Sequence, residues 1–267
     1  MNCTMLSKVG VYPGKPNRGN EDSGASVEVA GHPGVWLFGV FDGHGPSGAE
    51  CSRMALEKVI QRLPVQLRKN NNDLNKALSA SMLTVAHVGD SRGVLAERER
   101  PGAPLKARQL TVDHTPRVQA EYDRVVKAGG VVLTVDQIDG VKDKNAKAWG
   151  PEFGNDGDPP RVWAPGADWP GTAFTRSLGD RVAKTLGVIC VPEITTVEVD
   201  PATTPFAILA SDGVWEFLSP QQAVDIIAST DDRDAAIEKL LETAYEAWMA
   251  NEPRSDDITA IVIYFGG

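Results

Sequence analysis

Aspartate–glycine pairs recur in this chain where apolar runs end. The pairs are Asp42-Gly43, Gly89-Asp90 and Asp212-Gly213. A carboxylate at the end of a buried strand is costly when nothing repays its desolvation, and several converging carboxylates become stable around a divalent cation. Mg²⁺ and Mn²⁺ are hard cations that prefer such oxygen ligands. The pattern favours a cation site, although each pair alone is also a common turn signature.

Two more acidic pairs extend this pattern. Glu21-Asp22 lies in the N-terminal segment, and Asp256-Asp257 stands directly before the last apolar run of the chain. Spacing alone does not decide between the turn and the metal interpretation.

Short apolar runs of strand length precede or follow most of these carboxylates. The predicted strands are 35–41, 83–88, 206–210 and 258–265. Helical spacing from Met54 to Leu63 predicts a helix that Pro64 interrupts. Three further helices are predicted. The first begins with Thr115-Pro116 and ends at Gly129-Gly130, and the second begins at the capping box of Ser219 and ends at Ile227. The third runs from Ile237 to Trp248. Residues 136–171 lack periodicity and are interpreted as a long loop, and the whole favours an α+β fold with mainly antiparallel sheet.

Composition excludes several classes of protein. The chain has 267 residues and a formal net charge of −9, which argues against binding the phosphates of nucleic acids or membranes. Its three cysteines, Cys3, Cys51 and Cys190, are too scattered for a disulfide framework. With no apolar leader or spanning segment, we expect a cytoplasmic or nuclear protein that is not attached to a membrane.

Six sequence motifs around these residues occur in a specific order. They are Phe38-Gly-Val-Phe-Asp-Gly-His-Gly45, Ala86-His-Val-Gly-Asp-Ser-Arg92, Leu110-Thr-Val-Asp-His-Thr-Pro116, Ala173-Phe-Thr-Arg-Ser-Leu-Gly-Asp180, Ala210-Ser-Asp-Gly-Val-Trp215 and Ser255-Asp-Asp-Ile-Thr259. Together they resemble the metal-dependent protein serine/threonine phosphatases of type 2C over nearly the whole chain. The stretch from Pro160 to Arg176 is most similar to plant and protist members.

The resemblance implies a four-layer αββα sandwich, in which helices flank two mainly antiparallel sheets. It implies hydrolysis of phosphoserine and phosphothreonine by a water or hydroxide that bridges two Mg²⁺ or Mn²⁺ ions, with no covalent intermediate. The partners would be phosphorylated proteins, and we expect a monomer.

The resemblance also implies the ligands of the metals. They are Glu21, Asp22, Asp42, the carbonyl of Gly43, Asp212 and Asp256, with Asp90 helping to hold a further, weaker ion. Asp42 would bridge the two metals. Asp257 stands where the family usually has asparagine, so the choice between Asp256 and Asp257 stays open. Glu216 replaces a shorter acidic residue at the third site.

Two residues are implied to act on the substrate. His44 matches the proposed general acid, whereas His87 and His114 have no such match. Arg18 would bind the substrate phosphate, although it lies three residues before Glu21 rather than the usual four. Arg176 and Asp180 are interpreted as structural, and Arg161 as a loop residue.

We therefore predict one catalytic domain over residues 1–267, with two departures from the family pattern. A loop or flap region is inserted at about 131–190, in which Gly154 to Asp158 is interpreted as a solvated loop rather than a calcium site. A strand and part of a helix are apparently deleted near residues 80–83.

Two other functions stay open. A catalytically silent relative that binds phosphoproteins is compatible with the apparent deletion. A nucleotide phosphodiesterase fits the metals but lacks a basic groove.

Overall fold

The computed structural model of the chain describes residues 2–15, 18–69, 82–146 and 158–266. Two compact units can be distinguished. The first consists of Met1–Val85, Ser91–Thr111 and Ile194–Gly267, and the second of Ala86–Asp90 and Val112–Glu193. The predicted deletion near 80–83 falls largely outside the described residues.

Strands and helices alternate irregularly along the chain. The strands are β1 Asn2–Lys8, β2 Ser23–Glu28, β3 Trp36–Phe41, β4 Met82–His87, β5 Arg92–Glu97, β6 Lys106–Gln109, β7 Val131–Leu133, β8 Arg161–Trp163, β9 Pro170–Thr172, β10 Glu193–Glu198, β11 Phe206–Ala210 and β12 Ile258–Tyr264. The helices are α1 Gly48–Lys69, α2 Gln119–Lys127, α3 Val135–Ile138, α4 Arg181–Lys184, α5 Asp212–Trp215, α6 Pro220–Ala228 and α7 Arg233–Asn251. The α+β class with antiparallel sheets is thereby confirmed.

The first unit is built on a five-stranded sheet in the order β1-β12-β11-β5-β6. Its central strands are buried on both faces, which explains their uninterrupted apolar sequences. Ile208 of β11 packs in the cluster that contains Leu240 and Leu241 of α7. Its neighbour Ala207 packs in a second cluster, against which Phe38 of β3 lies. Alternate residues of β11 therefore pack against helices on one face of the five-stranded sheet and against further strands on the other face.

The second unit contains the antiparallel sheet β7-β8-β9 and a core of small and branched side chains. The core residues are Val125, Val132, Val162, Ala164, Ala183, Leu186 and Val188. The long loop predicted over 136–171 is thus partly wrong, because β8 and β9 lie within it. Arg161 is accordingly a strand residue, and its guanidinium donates to the carbonyl of Gly171 at 3.0 Å.

Two predicted helix boundaries are also wrong. Helix α1 continues through Pro64 to Lys69 although a proline removes a backbone donor, because Pro64 is buried and packing stabilises the helix. The carbonyl of Pro64 also accepts from Nε of Arg68 at 3.1 Å. Helix α2 begins at Gln119 rather than at Thr115, whose carbonyl instead closes a turn with the amide of Val118.

Other boundaries follow the sequence closely. Ser219 forms the predicted capping box with Gln222 at the start of α6, and α7 covers the predicted apolar stripe. Within the described ranges, no helix combines the length and the apolar character that crossing a bilayer requires.

Candidate metal and phosphate site

Strand ends in the first unit bring the N-terminal carboxylates to Asp42. Ser23 of β2 pairs with Phe41 of β3 in antiparallel register. Asp22 directly precedes Ser23 and Asp42 directly follows Phe41, so the two aspartates leave the same end of this hairpin. Register thereby joins residues that are far apart in the sequence.

The central sheet brings the C-terminal carboxylates to the same group. The amide of Ser211 donates to the carbonyl of Thr259 at 3.0 Å, so Asp212 and Asp257 leave neighbouring strand ends. The hydroxyl of Ser211 donates to Asp22 Oδ2 at 2.8 Å. This bond ties the end of β11 to the start of β2.

Gly43 lies where the backbone is most crowded. A Cβ added to Gly43 would lie 2.4 Å from the carbonyl oxygens of both Glu21 and Gly48. A Cβ on Gly48 would lie 2.9 Å from the carboxylate of Glu21. Glycine is therefore required at both positions, and Glu21 lies beside the backbone that follows Asp42.

Asp256 and Asp257 have different environments. Asp257 is 3% exposed, and its two carboxylate oxygens accept from the backbone amides of Gly10 at 2.6 Å and Glu21 at 2.7 Å. The side chain of Asp256 is 41% exposed and accepts a hydrogen bond from the hydroxyl of Tyr12. Asp257 thus connects its own segment with those of Gly10 and Glu21. Asp256 is therefore the more accessible of the two aspartates for a metal ion.

Asp22 shows how much negative charge is concentrated here. Burial raises the pKa of Asp22 to about 6, and the nearby carboxylates of Asp257 and Asp256 raise it as well. Hydrogen bonds from Thr259 and Ser211 act in the opposite direction. The charged form is therefore incompletely compensated by the protein, as expected for a site that takes a cation.

Arg18 contacts this acidic group directly. Its Nη2 lies 2.5 Å from Glu21 Oε2 and 4.0 Å from Asp257 Oδ2, and its Nη1 lies 3.9 Å from Asp256 Oδ1. The predicted phosphate ligand is thus ion-paired with a predicted metal ligand. Among the described residues, no three His, Cys, Asp or Glu side chains are already arranged to hold a metal ion.

His44 and Glu216 are both exposed. His44 lies in the turn between β3 and α1, two residues after Asp42, where a proton donor would be accessible to a substrate. Glu216 follows α5, four residues after Asp212.

Asp90 lies in the second unit, at a turn that two histidines hold. The amide of Gly89 donates to Nδ1 of His114 at 3.2 Å, and the carbonyl of Gly89 accepts from the amide of His114 at 2.8 Å. The rings of His87 and His114 are stacked with centroids 4.2 Å apart. These contacts fix the turn immediately before Asp90.

Glu121 is a charged residue that the sequence motifs did not single out. It is 2% exposed and accepts two hydrogen bonds of 2.6 Å from Arg124, one of 2.7 Å from Arg176 and one of 2.5 Å from Thr175. Arg176 also donates to the carbonyl of Val191. The contacts of Arg176 agree with the structural role predicted for it, whereas Glu121 could have been found only by its helical pairing with Arg124.

Two residues of the predicted flap region have local structural roles. Asp158 accepts from the amide of Val135 at 2.8 Å and from Nζ of Lys142 at 3.0 Å, so it stabilises the start of α3. Residues 154–157 of the predicted solvated loop lie outside the described residues. Asp180 has the left-handed φ of 51° and precedes α4.

Comparisons with known proteins agree on one family. A profile of the family described as Protein phosphatase 2C matches residues 65–251. The chain is 38% identical to probable protein phosphatase 2C 35 of Arabidopsis thaliana over 291 positions, which cover 97% of this chain and 82% of the relative. Those 291 positions exceed the length of this chain, so the relative carries residues that this chain lacks.

A second relative is longer. Probable protein phosphatase 2C 64 of Oryza sativa subsp. japonica is 34% identical over 86% of this chain, which spans 58% of that relative.

Solved structures show the same fold. A serine-threonine phosphatase 2C from Toxoplasma gondii has a TM-score of 0.67 at 21% identity and covers 99% of this chain and 94% of its own. A sex determining protein of C. elegans has a TM-score of 0.62 at 19% identity and covers 98% of this chain and 64% of its own.

Proposed function

The chain belongs to the protein phosphatase 2C family, and on that premise we propose that it is a metal-dependent enzyme that hydrolyses phosphoserine and phosphothreonine in proteins. The family assignment accounts for protein-serine/threonine phosphatase activity. The identity of the metals, the residues that hold them and the chemical steps are the further content of the proposal. The observation that carries it is that hydrogen bonds link the carboxylate-bearing strand ends of the first unit, from Ser211 to Asp22 and from the amide of Glu21 to Asp257.

The donor set fits hard divalent cations. The proposed ligands are all oxygen donors: Glu21, Asp22, Asp42, Gly43, Asp212 and Asp256. The raised pKa of Asp22 supports an unmet need for positive charge at this group. The backbone at Gly43 is too crowded for any side chain, because the carbonyl oxygens of Glu21 and Gly48 fill the space that a Cβ would need. Asp90 is proposed as a ligand of a further, weaker ion.

When bound, two Mg²⁺ or Mn²⁺ ions would activate a water for in-line attack and offset charge on the phosphoryl oxygens. Asp42 is proposed as a ligand of both ions, the role that its match to the family's first Asp-Gly motif implies. Asp256 is preferred to Asp257 as a ligand because both oxygens of Asp257 already accept backbone amides.

Arg18 and His44 are the groups proposed to act on the substrate. The planar guanidinium of Arg18 can donate two parallel hydrogen bonds to a phosphate. His44 would protonate the serine or threonine oxygen as it leaves, and its exposure beside Asp42 suits that role. The attacking oxygen comes from water, so no side chain forms a bond to phosphorus.

The composition and the free cysteines support the proposed partners and cellular compartment. Phosphorylated proteins are the proposed partners, since the net charge of −9 disfavours nucleic acid. Cys3, Cys51 and Cys190 are all outside disulfides, which is consistent with the proposed cytoplasmic or nuclear setting. A monomer is proposed.

The test is hydrolysis of a phosphothreonine peptide by the purified chain with Mn²⁺, with Mg²⁺ and with a chelator. We expect turnover that depends on the metal and is faster than on a phosphodiester. Metal binding by calorimetry without turnover of any phosphopeptide would favour the silent, phosphoprotein-binding relative. Faster hydrolysis of the phosphodiester would contradict the proposal.

A further inference from the structure

Arg18 lies beside two of the proposed metal ligands, Glu21 and Asp256. Its guanidinium bonds to Glu21 at 2.5 Å and lies within 3.9 Å of Asp256 and 4.0 Å of Asp257. The side chain is only 20% exposed, so these ion pairs are partly desolvated. One positively charged side chain thus partly neutralises three carboxylates that come from both ends of the sequence.

Tyr12 holds Arg18 in this position. The guanidinium carbon of Arg18 lies 3.8 Å from the centroid of the Tyr12 ring, which is the geometry of a cation–π contact. The hydroxyl of the same tyrosine donates to Asp256 Oδ1. Tyr12 and Arg18 together form a unit that we call the Tyr12–Arg18 cap, which occupies one oxygen of Glu21 and one of Asp256.

The cap also has an unused donor. Nη1 of Arg18 is buried and has no hydrogen-bond partner within the described ranges. A buried donor left without a partner is costly, so the arrangement is more favourable once an anion supplies an acceptor. The same guanidinium therefore has two uses, as a partner of Glu21 and as a donor to a phosphate.

We propose that the Tyr12–Arg18 cap is a built-in counter-cation that divalent metals displace from Glu21 and Asp256, so that loading of the metals and exposure of the phosphate-binding guanidinium are coupled. This inference rests on the proposed function. Two cations compete for the same carboxylate oxygens, so each weakens the binding of the other. Metal binding then precedes productive binding of the substrate, because Arg18 is released from Glu21 only when the metals arrive.

The decisive variant is Arg18→Gln, titrated with Mn²⁺ by calorimetry. Removal of the competitor should tighten Mn²⁺ binding at least about fivefold. The matched control is Lys15→Gln, which removes an exposed positive charge from the same segment and should leave the affinity and the turnover unchanged. Tyr12→Phe keeps the ring but removes the hydroxyl from Asp256, so it should tighten Mn²⁺ binding by a smaller factor.

A second readout separates competition from a merely structural role. At saturating Mn²⁺, Arg18→Gln should raise the KM for a phosphopeptide while its affinity for the metal rises. In wild type, the side-chain Nε–H signal of Arg18, identified by its loss in Arg18→Gln, should shift when Mg²⁺ is added. A structural role alone would weaken both metal and substrate binding.

Three results would overturn the inference. Unchanged or weaker Mn²⁺ binding in folded Arg18→Gln and Tyr12→Phe, with normal turnover in wild type, would refute the cap alone. If Lys15→Gln tightened Mn²⁺ binding as much as Arg18→Gln does, the effect would come from the loss of a positive charge and not from displacement of Arg18. Absence of metal binding in wild type would refute the proposed function and the inference together.

Discussion

Two carboxylates in this protein, the buried Glu121 and the half-buried Asp22, have pKa values that are shifted in opposite directions. Burial raises the pKa of each, but hydrogen bonds from Arg124, Arg176 and Thr175 more than offset it for Glu121, whose pKa falls to about 2. For Asp22, burial and neighbouring carboxylates leave the pKa at about 6. A buried carboxylate whose charge is balanced by arginines indicates a structural cluster, whereas one surrounded by other carboxylates indicates a candidate site. Each of the following predictions tests that distinction.

The largest effect on stability is expected for Glu121→Gln. The change leaves Arg124 and Arg176 without their shared carboxylate, and loss of one partner of a buried charge network costs about 3–5 kcal/mol. Chemical denaturation at neutral pH measures the loss of unfolding free energy. Asp123→Asn, on the exposed face of the same helix, should change it by less than about 0.5 kcal/mol. Equal losses for the two variants would contradict a structural role specific to Glu121.

The opposite sign is expected for Asp22→Asn. A carboxyl whose folded pKa lies above its unfolded value loses stability as the pH rises from 3.8 through about 6, so the charged form destabilises the metal-free protein at neutral pH. Asparagine should therefore stabilise the protein in chelator by about 1–3 kcal/mol, while weakening its response to Mn²⁺.

Thermal unfolding with and without Mn²⁺ tests this prediction. Glu238→Gln, at an exposed position of α7, is the matched control and should behave as wild type. A destabilised Asp22→Asn that still gains full stability from Mn²⁺ would contradict the account.

The smallest effect is a change in the pH dependence at His114. Burial, together with the positive charges of His87 and Arg176, lowers the pKa of His114 to about 4. The unfolded chain therefore takes up a proton that the folded chain excludes, and stability falls as the pH falls from 6.5 towards 4. His114→Asn keeps an acceptor for the amide of Gly89 but does not titrate. Denaturation at pH 7 and pH 5 should show a smaller difference for the variant, and an unchanged difference would refute the assignment.

Much of the candidate site could be predicted because its residues follow strands. Apolar runs predicted the strands that end at Asp42 and Asp212, and the motifs predicted the ligands in their order. The contacts of Arg18 with Asp256 and Asp257 join opposite ends of the chain, and no local pattern encodes them. Glu121 has a local partner in Arg124, but its bond to Thr175 spans 54 residues and is not encoded by any local pattern.

Secondary structure was harder to predict where local signals conflict with packing. Pro64 favoured the end of a helix, yet α1 continues to Lys69 because Pro64 is buried and packing outweighs the lost donor. The short strands β8 and β9 lie among glycines and prolines that favour loops. The pairing of β8 with β7 and of β9 with β8 depends on the core around Val162, which sequence periodicity cannot reveal.

The most direct measurement is a paired titration of Asp212→Asn and wild type, in which Mn²⁺ binding and phosphopeptide turnover are followed on the same samples. The account predicts that wild type binds Mn²⁺ and turns over, and that the variant loses Mn²⁺ affinity and at least about a hundredfold in kcat/KM, because one anionic ligand is gone. Circular dichroism of the variant is the control that establishes whether it is folded. Turnover by folded Asp212→Asn equal to that of wild type, or turnover by wild type that a chelator does not reduce, would contradict the assignment of this acidic group as the metal site of the enzyme.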